Sequence, residues 1–231
     1  MIDGNESGID FSLVLASSVH DMKNSVGMLL ASLESVIEDT PPTNEVQARR
    51  FSTLHYEASR INSELIQLLT IYRMQNDVLP VHIDEHYIID IFDDQIARNH
   101  MLTETKGVTI TLDCDSDLHW YFDHDLIGSV IHNIIVNCVR YTHSSILIQA
   151  RIENDLLCIT IADDGSGYPA NMLNRTAGQI DEADVRNGGT HLGLYFAEKI
   201  AGFHKQNNRI GYIDMSNGDP LGGGVFKLFL P

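Results

Sequence analysis

Two stretches near the start of the chain repeat apolar residues at alternating spacings of four and three. Leu15, Val19, Met22, Val26, Leu29, Leu33 and Val36 form the first; Phe51, Leu54, Ala58, Ile61, Leu65, Leu68 and Tyr72 form the second. That spacing keeps a narrow stripe on one side of an α-helix and is the pattern of coiled-coil-like packing. Thr40-Pro41-Pro42-Thr43 separates the two stretches. Proline lacks the N–H that a helix interior needs, so the first helix is predicted to stop there. Helices joined by so short a link pack as antiparallel neighbours. One hairpin cannot cover both stripes, whereas two hairpins paired as a four-helix bundle would.

Beyond about residue 77 the period becomes two. Val108, Ile110 and Leu112 alternate with polar residues, and so do Ile146, Ile148, Ala150 and Ile152, and then Leu157, Ile159 and Ile161. These read as half-buried strands. A further strand is predicted over 225–230, and helices over 85–104, 125–141 and 192–203. The fold class is therefore α+β. An N-terminal antiparallel helical hairpin over 9–76 is followed, over 80–231, by a sandwich with helices on one face of a mixed sheet.

The net charge of -17 narrows the partners. A nucleic-acid surface needs clustered Lys and Arg, and an anionic membrane face needs a basic one, so neither is expected. The partner should be a protein, or a small anion held by a few local donors. Cys114, Cys138 and Cys158 are odd in number, form no C-x-x-C pair and lie in apolar stretches, as reduced core thiols do. No apolar run is long enough to span a bilayer. The opening MIDGNESGID lacks the basic and apolar regions of a signal peptide. A cytoplasmic location is expected, with input arriving through a partner such as a separate sensor protein, or through a domain absent from this chain.

Four segments carry candidate chemistry. In His20-Asp21-Met22-Lys23-Asn24, His20 flanks the seam, where its imidazole can reach solvent and act as a nucleophile. Asp21 could accept a hydrogen bond from the second ring nitrogen. Asn24 is one turn on, where its amide could position a water. An exposed polar helix face would look the same. Asn133 and Asn137, one turn apart beside an isoleucine-rich face, could offer amide oxygens to Mg²⁺, and Arg140 could meet phosphate. Asp163-Asp164-Gly165-Ser166-Gly167 ends an apolar strand. Its first carboxylate could accept from an adenine amino group, and its glycines permit a tight turn or close approach of a ligand. Asn187-Gly188-Gly189-Thr190-His191-Leu192-Gly193-Leu194 opens an amphipathic helix, a place that favours an anion. No Gly-Lys-Ser/Thr follows, so this is not a P-loop. The histidines at 55, 82, 86, 100, 119, 124, 132, 143 and 204 show no ligand spacing with a third donor, and no zinc site is expected.

The order of these segments resembles that of sensor histidine kinases of the GHKL ATPase superfamily, over nearly the whole chain. The ending Gly223-Gly224-Val225-Phe226-Lys227-Leu228-Phe229-Leu230-Pro231 is similar to the family's closing strand. The resemblance implies a Bergerat-type sandwich that binds ATP and Mg²⁺. It makes His20 the phosphoacceptor, Asp21 the assisting carboxylate and Asn24 the position implicated in dephosphorylating a response regulator. Asn137 would be the Mg²⁺ ligand, with Asn133 its partner. Arg140 stands where the family usually has lysine, followed by Tyr141. Asp163 would read adenine, with Gly165 and Gly167 as its glycines. Gly189, Leu192, Gly193 and Leu194 match the second glycine box.

The implied activity is autophosphorylation of His20 and transfer to an aspartate of a response regulator receiver domain, in a homodimer. Departures from the family pattern are Ser25 for a proline, His191 for a glycine, and no clear phenylalanine box between Tyr168 and Asn187, where a polar, mobile lid is expected. They keep open a phosphatase-dominated or catalytically weak member. A non-enzymatic phosphotransfer adaptor with a decayed ATPase domain is opposed by the intact Asn133, Asn137 and Asp163. An anti-sigma-type serine kinase is opposed by the long hairpin that carries His20.

Overall fold

The computed structural model describes residues 11–76, 78–173 and 192–231. Two long helices come first, α1 (Phe11–Asp39) and α2 (Glu45–Gln75), packed against each other. α1 ends just before the proline pair, and Asn44 caps α2 by accepting a hydrogen bond from the Gln47 N–H at 2.9 Å. The Gln47 side chain reaches back to the Thr43 N–H, also at 2.9 Å, which fixes the corner of the hairpin. α1 runs unbroken through Ser25 and Gly27, and the Ser25 hydroxyl bonds to the Asp21 carbonyl.

The two seams divide by heptad position. Val19, Val26 and Leu33 of α1 and Phe51, Ala58, Leu65 and Tyr72 of α2 are covered or half-covered. Met22, Leu29 and Val36, and Leu54, Ile61 and Leu68, each spaced by seven, are exposed. Each stripe thus packs one edge inside the hairpin and leaves the other in water.

After the hairpin come β1 (Asp84–Tyr87), α3 (Ile88–Lys106), β2 (Thr109–Asp113), β3 (His119–Phe122), α4 (His124–Tyr141), β4 (Ser145–Glu153) and β5 (Leu156–Asp163). Then follow the single turn α5 (Ala170–Leu173), α6 (Leu192–Phe203), β6 (Lys205–Gln206), β7 (Arg209–Ile210), β8 (Tyr212–Asn217) and β9 (Gly224–Leu230). A mixed sheet runs in the order β2-β4-β5-β9-β8, with β2 and β4 parallel and the other pairs antiparallel. Ile146, Ile148, Ile159, Ile161, Leu228 and Leu230 face a helical layer. Its core residues include Ile91 and Phe92 of α3, Ile127, Ile131 and Ile134 of α4, and Phe196 and Ile200 of α6.

The predicted α+β architecture is present, with local differences. The helix expected from residue 85 begins at Ile88, because Asp84–Tyr87 pairs antiparallel with β3. Long-range pairing outweighs local helix propensity there. Ile152, expected on the buried face, lies beyond the helices and is exposed. Asp123 joins the two parts of the chain. One oxygen caps α4 at Leu126 N–H, 3.0 Å, and the other accepts the His82 N–H at 2.7 Å, anchoring the segment that leaves α2. Its own N–H donates to Nε2 of buried His204 at 3.0 Å, while Nδ1 of that ring lies 2.9 Å from the Ile200 carbonyl. Burial lowers the His204 pKa, which keeps the ring neutral in this acceptor role.

Candidate functional site

A pocket of about 250 Å³ opens where α4, the end of β5, α6 and the start of β9 converge. Ile134, Cys138, Met172, Leu194 and Pro169 give it apolar walls, and Asp163 lies on its lining, 6% exposed. The Gly165 and Gly224 N–H groups both donate to Asp163 Oδ1, at 2.8 and 3.2 Å. An ionised carboxylate has about four acceptor positions, so capacity remains for a donor entering the pocket. Burial first, then the Asp163 charge and a hydrogen bond to it, push the neighbouring Cys138 thiol up. Burial, followed by Cys138 and Asp163, raises the Tyr168 phenol. Both groups are neutral around Asp163 at physiological pH.

The backbone geometry here depends on glycine. A Cβ at Gly165 would come within 2.2 Å of the Tyr141 carbonyl oxygen, so only a residue without one lets this turn lie against the end of α4. Gly167 has φ of +76° and presses on the Asn217 carboxamide. Asn217 holds the following residue from both sides, accepting the Tyr168 N–H at 2.7 Å and donating to its carbonyl at 2.8 Å.

Asp164 points the other way, as successive residues of a strand do. It accepts hydrogen bonds from the Thr142 hydroxyl, from the His143 N–H at 2.8 Å, and from the Ser144 N–H and hydroxyl at 3.0 and 2.8 Å. The turn from α4 into β4 is thereby tied to the end of β5. Desolvation pushes the Asp164 carboxyl up, but the bonds from Thr142, Ser144 and Ser145 outweigh it and hold the group well below the usual carboxylate range.

The other expected site residues are distributed as follows. Asn137 and Tyr141 line the pocket. Asn133 does not. It is 6% exposed, its Oδ1 accepts from Gln67 of α2 at 2.7 Å, and Gly193 passes close against its carboxamide. One turn of helix is enough to move the side chain from the pocket to the seam between α4, α6 and the hairpin. Arg140 is exposed, with its guanidinium 5.3 Å from the Tyr141 ring centre. Leu194 lines the pocket and Leu192 is half-buried at the start of α6. Gly189 and His191 lie outside the described residues, as does the part of the expected lid over 174–187. Tyr168, Met172, Gly224 and Asp164 were not singled out as site residues. The Asp-Asp doublet at a strand end was the available signal for the last.

His20 lies on α1 with its side chain 50% exposed. The Asn24 carboxamide is 3.4 Å from Nδ1, on the same face as expected. Asp21 Oδ1 is 3.7 Å from that nitrogen, beyond hydrogen-bond reach, because adjacent residues diverge around a helix. His20 lines a cleft whose far wall includes His124, Asp125 and Gly128 at the N-terminal end of α4. Asn137 lies about 18 Å farther along that helix axis, at 1.5 Å per residue.

Residues 122–231 match the family model for the histidine kinase-, DNA gyrase B-, and HSP90-like ATPase. The virulence sensor histidine kinase PhoQ of Salmonella typhimurium is 22% identical over 190 residues, covering 82% of this chain and 38% of that protein. Sensor histidine kinase WalK of Bacillus subtilis is 25% identical over 198 residues, covering 82% of this chain and 32% of the relative. The chain therefore spans well under half the length of these curated relatives. Among solved structures, the Acinetobacter baumannii histidine kinase AdeS superposes with a TM-score of 0.57 at 20% identity, over 91% of this chain and 96% of that one. The catalytic domain of histidine kinase ThkA gives a TM-score of 0.54 at 17% identity, over 65% of this chain and 96% of that one.

The Asp164 network predicts a pH effect with a definite sign. A carboxyl held below its unfolded value contributes stability that is complete above about pH 4 and is lost as pH falls toward the folded value. Asp164→Asn should therefore be less stable than the native chain at neutral pH. The gap should close progressively below about pH 4 in denaturant titrations. A gap that stays constant with pH would contradict the assignment.

Proposed function

We propose that this chain, a sensor histidine kinase catalytic core by its matched ATPase domain and its helical hairpin, moves the γ-phosphoryl group of ATP onto His20. Residues 9–76 are read as the dimerising, phosphoaccepting part and 80–231 as the ATP-binding part. One observation carries the reading: a single chain presents a solvent-exposed imidazole on a helical hairpin and a glycine-built, apolar-walled pocket with a buried carboxylate. Adenine is flat and apolar on its faces and carries an amino donor at its edge. Ile134, Met172 and Leu194 suit the faces and Asp163 the edge.

Asn137 fits as a Mg²⁺ ligand. Its carboxamide supplies the hard oxygen that this ion prefers, and Mg²⁺ keeps waters and phosphate oxygens as its other ligands. When bound, the ion would neutralise charge on the phosphates. Gly189, Leu192, Gly193 and Arg140 are read as the phosphate-side contacts.

At His20, the ring nitrogen that carries no proton supplies the lone pair for in-line attack. The N–P bond forms as the bond to the ADP oxygen breaks. His20 and the pocket sit at opposite ends of α4, so the ATPase domain must shift on the hairpin before transfer. The Gln67–Asn133 bond is one contact it must give up. The phosphoryl group then passes to an aspartate of a receiver-domain partner, the response regulator. Asn24 is placed to orient a water for the reverse duty, dephosphorylation. The exposed heptad edges of both helices are the surface for a second copy of the hairpin. Among the described residues no helix is long and apolar enough to cross a membrane. A cytoplasmic setting fits the ATP dependence of this reading.

Incubation with ATP labelled in the γ-phosphate should label the chain, and the label should be lost in acid, as from phosphohistidine. His20→Ala should reduce it to background; label that persists in the variant, or survives acid, contradicts the reading. Self-labelling set against dephosphorylation of a regulator separates a kinase from the phosphatase-dominated alternative. Ile61→Glu places a charge on the exposed seam and should convert a dimer to a monomer in light scattering. An unchanged mass would remove this face as the interface.

A further inference from the structure

A second cleft, of about 480 Å³, lies between the hairpin and the α3–α4 side of the sandwich, and the chemistry above leaves it without a role. His20 and Lys23 reach it from α1, Arg73 from α2, Gln95 and Arg98 from α3, and His124 and Asp125 from α4. The chain has 15 Lys and Arg against 32 Asp and Glu. In so acidic a protein, three cations from three different helices nonetheless line the same cleft as the side chain read as the phosphoacceptor.

On the cleft's lining these three cations outnumber the one carboxylate, Asp125. Among the described residues none of Lys23, Arg73 and Arg98 forms an ion pair with a carboxylate. The carboxylates nearby are largely exposed: Asp21 is 3.7 Å from His20, and Asp94 and Asp125 are 3.7 and 3.6 Å from His124. Positive charges brought together without a counter-charge repel, and an anion between them reverses that. Gln95 adds an independent sign. It is 6% exposed, lines the cleft, and its Oε1 has no hydrogen-bond partner among the described residues. Its carboxamide NH₂ is a donor of the kind that suits an oxyanion.

We propose that this cleft is an anion site for the phosphoryl group carried by His20, with Lys23, Arg73 and Arg98 as its cationic ligands and Gln95 as an amide donor. The proposal rests on the reading of His20 as phosphoacceptor. Its consequence is that phosphorylation strengthens the packing of the ATPase domain on the hairpin. The phosphohistidine is shielded until the cleft opens to a receiver aspartate. Phosphorylation is thus the signal that holds the resting arrangement in place.

The test uses the full chain and needs no ATP. Inorganic phosphate, titrated in while NMR follows the His20 ring and the Arg side-chain N–H signals, should give saturable shifts at those groups. Sulfate should act alike, and chloride at equal ionic strength should not. Arg98→Gln and Arg73→Gln should each weaken phosphate binding about tenfold, the scale of one charge-assisted hydrogen bond. Arg98→Lys should retain most of it. Shifts that never saturate, that chloride reproduces, or that the variants leave unchanged overturn the site. His20 phosphorylated chemically with phosphoramidate gives a second reading. The protonation midpoint of its phosphoryl group, followed by phosphorus NMR, should rise by about half a unit in Arg98→Gln. Equal midpoints overturn the proposal. Phosphate binding that the variants lose supports the anion site whatever ATP labelling gives. Labelling from ATP without phosphate binding overturns this site alone.

Discussion

The buried Asp163 carboxylate, held by the N–H groups of Gly165 and Gly224, is the contact on which the architecture of the pocket depends. Burying a carboxylate is costly unless its hydrogen bonds are met, and here two backbone donors from different segments meet them. Those donors can come so close because the segments carry no Cβ. At Gly165 one would collide with the Tyr141 carbonyl, and at Gly223 one would lie 2.5 Å from Asp163 itself. The strand's alternation does the rest. Asp163 turns toward the pocket, and Asp164, one residue on, turns toward the α4–β4 turn and locks it. Two adjacent carboxylates thus fix both the lining of the pocket and the helix that walls it.

α4 links the two halves of the chemistry. Its C-terminal half lines the pocket through Ile134, Asn137 and Tyr141, and its N-terminal half faces His20 across the cationic cleft. Asn133, between the two, is bonded to Gln67 of the hairpin. A shift of the ATPase domain on the hairpin therefore changes the exposure of His20 and the surroundings of the pocket together. The overall charge of -17 does not reveal that Lys23, Arg73 and Arg98 line one cleft with His20.

Much of this was legible in the chain. Heptad spacing gave the hairpin and its break at Pro41-Pro42, and period-two alternation gave β2, β4 and β5, since burial on one face imposes those periods. β1, β3 and β8 escaped because they are short, and their identity as strands comes from pairing with distant segments. The placement of Asn133 also escaped, because a sequence shows which helix face a residue shares but not which neighbour covers that face. The same holds for the cationic cleft. Lys23, Arg73 and Arg98 are far apart in the chain, and no local pattern announces that three helices bring them together. Tyr168 and Met172 follow the strand in an irregular segment, where periodicity is silent.

The central claim is that the Asp163 pocket takes adenine by its amino edge. Calorimetry comparing ADP with inosine diphosphate, which carries a carbonyl in place of that amino group, tests it most directly. The account predicts that ADP binds and that the inosine nucleotide binds at least about tenfold more weakly, since a carbonyl oxygen set against a buried carboxylate leaves both without a donor. Equal affinity for the two, or no binding of either, would contradict it.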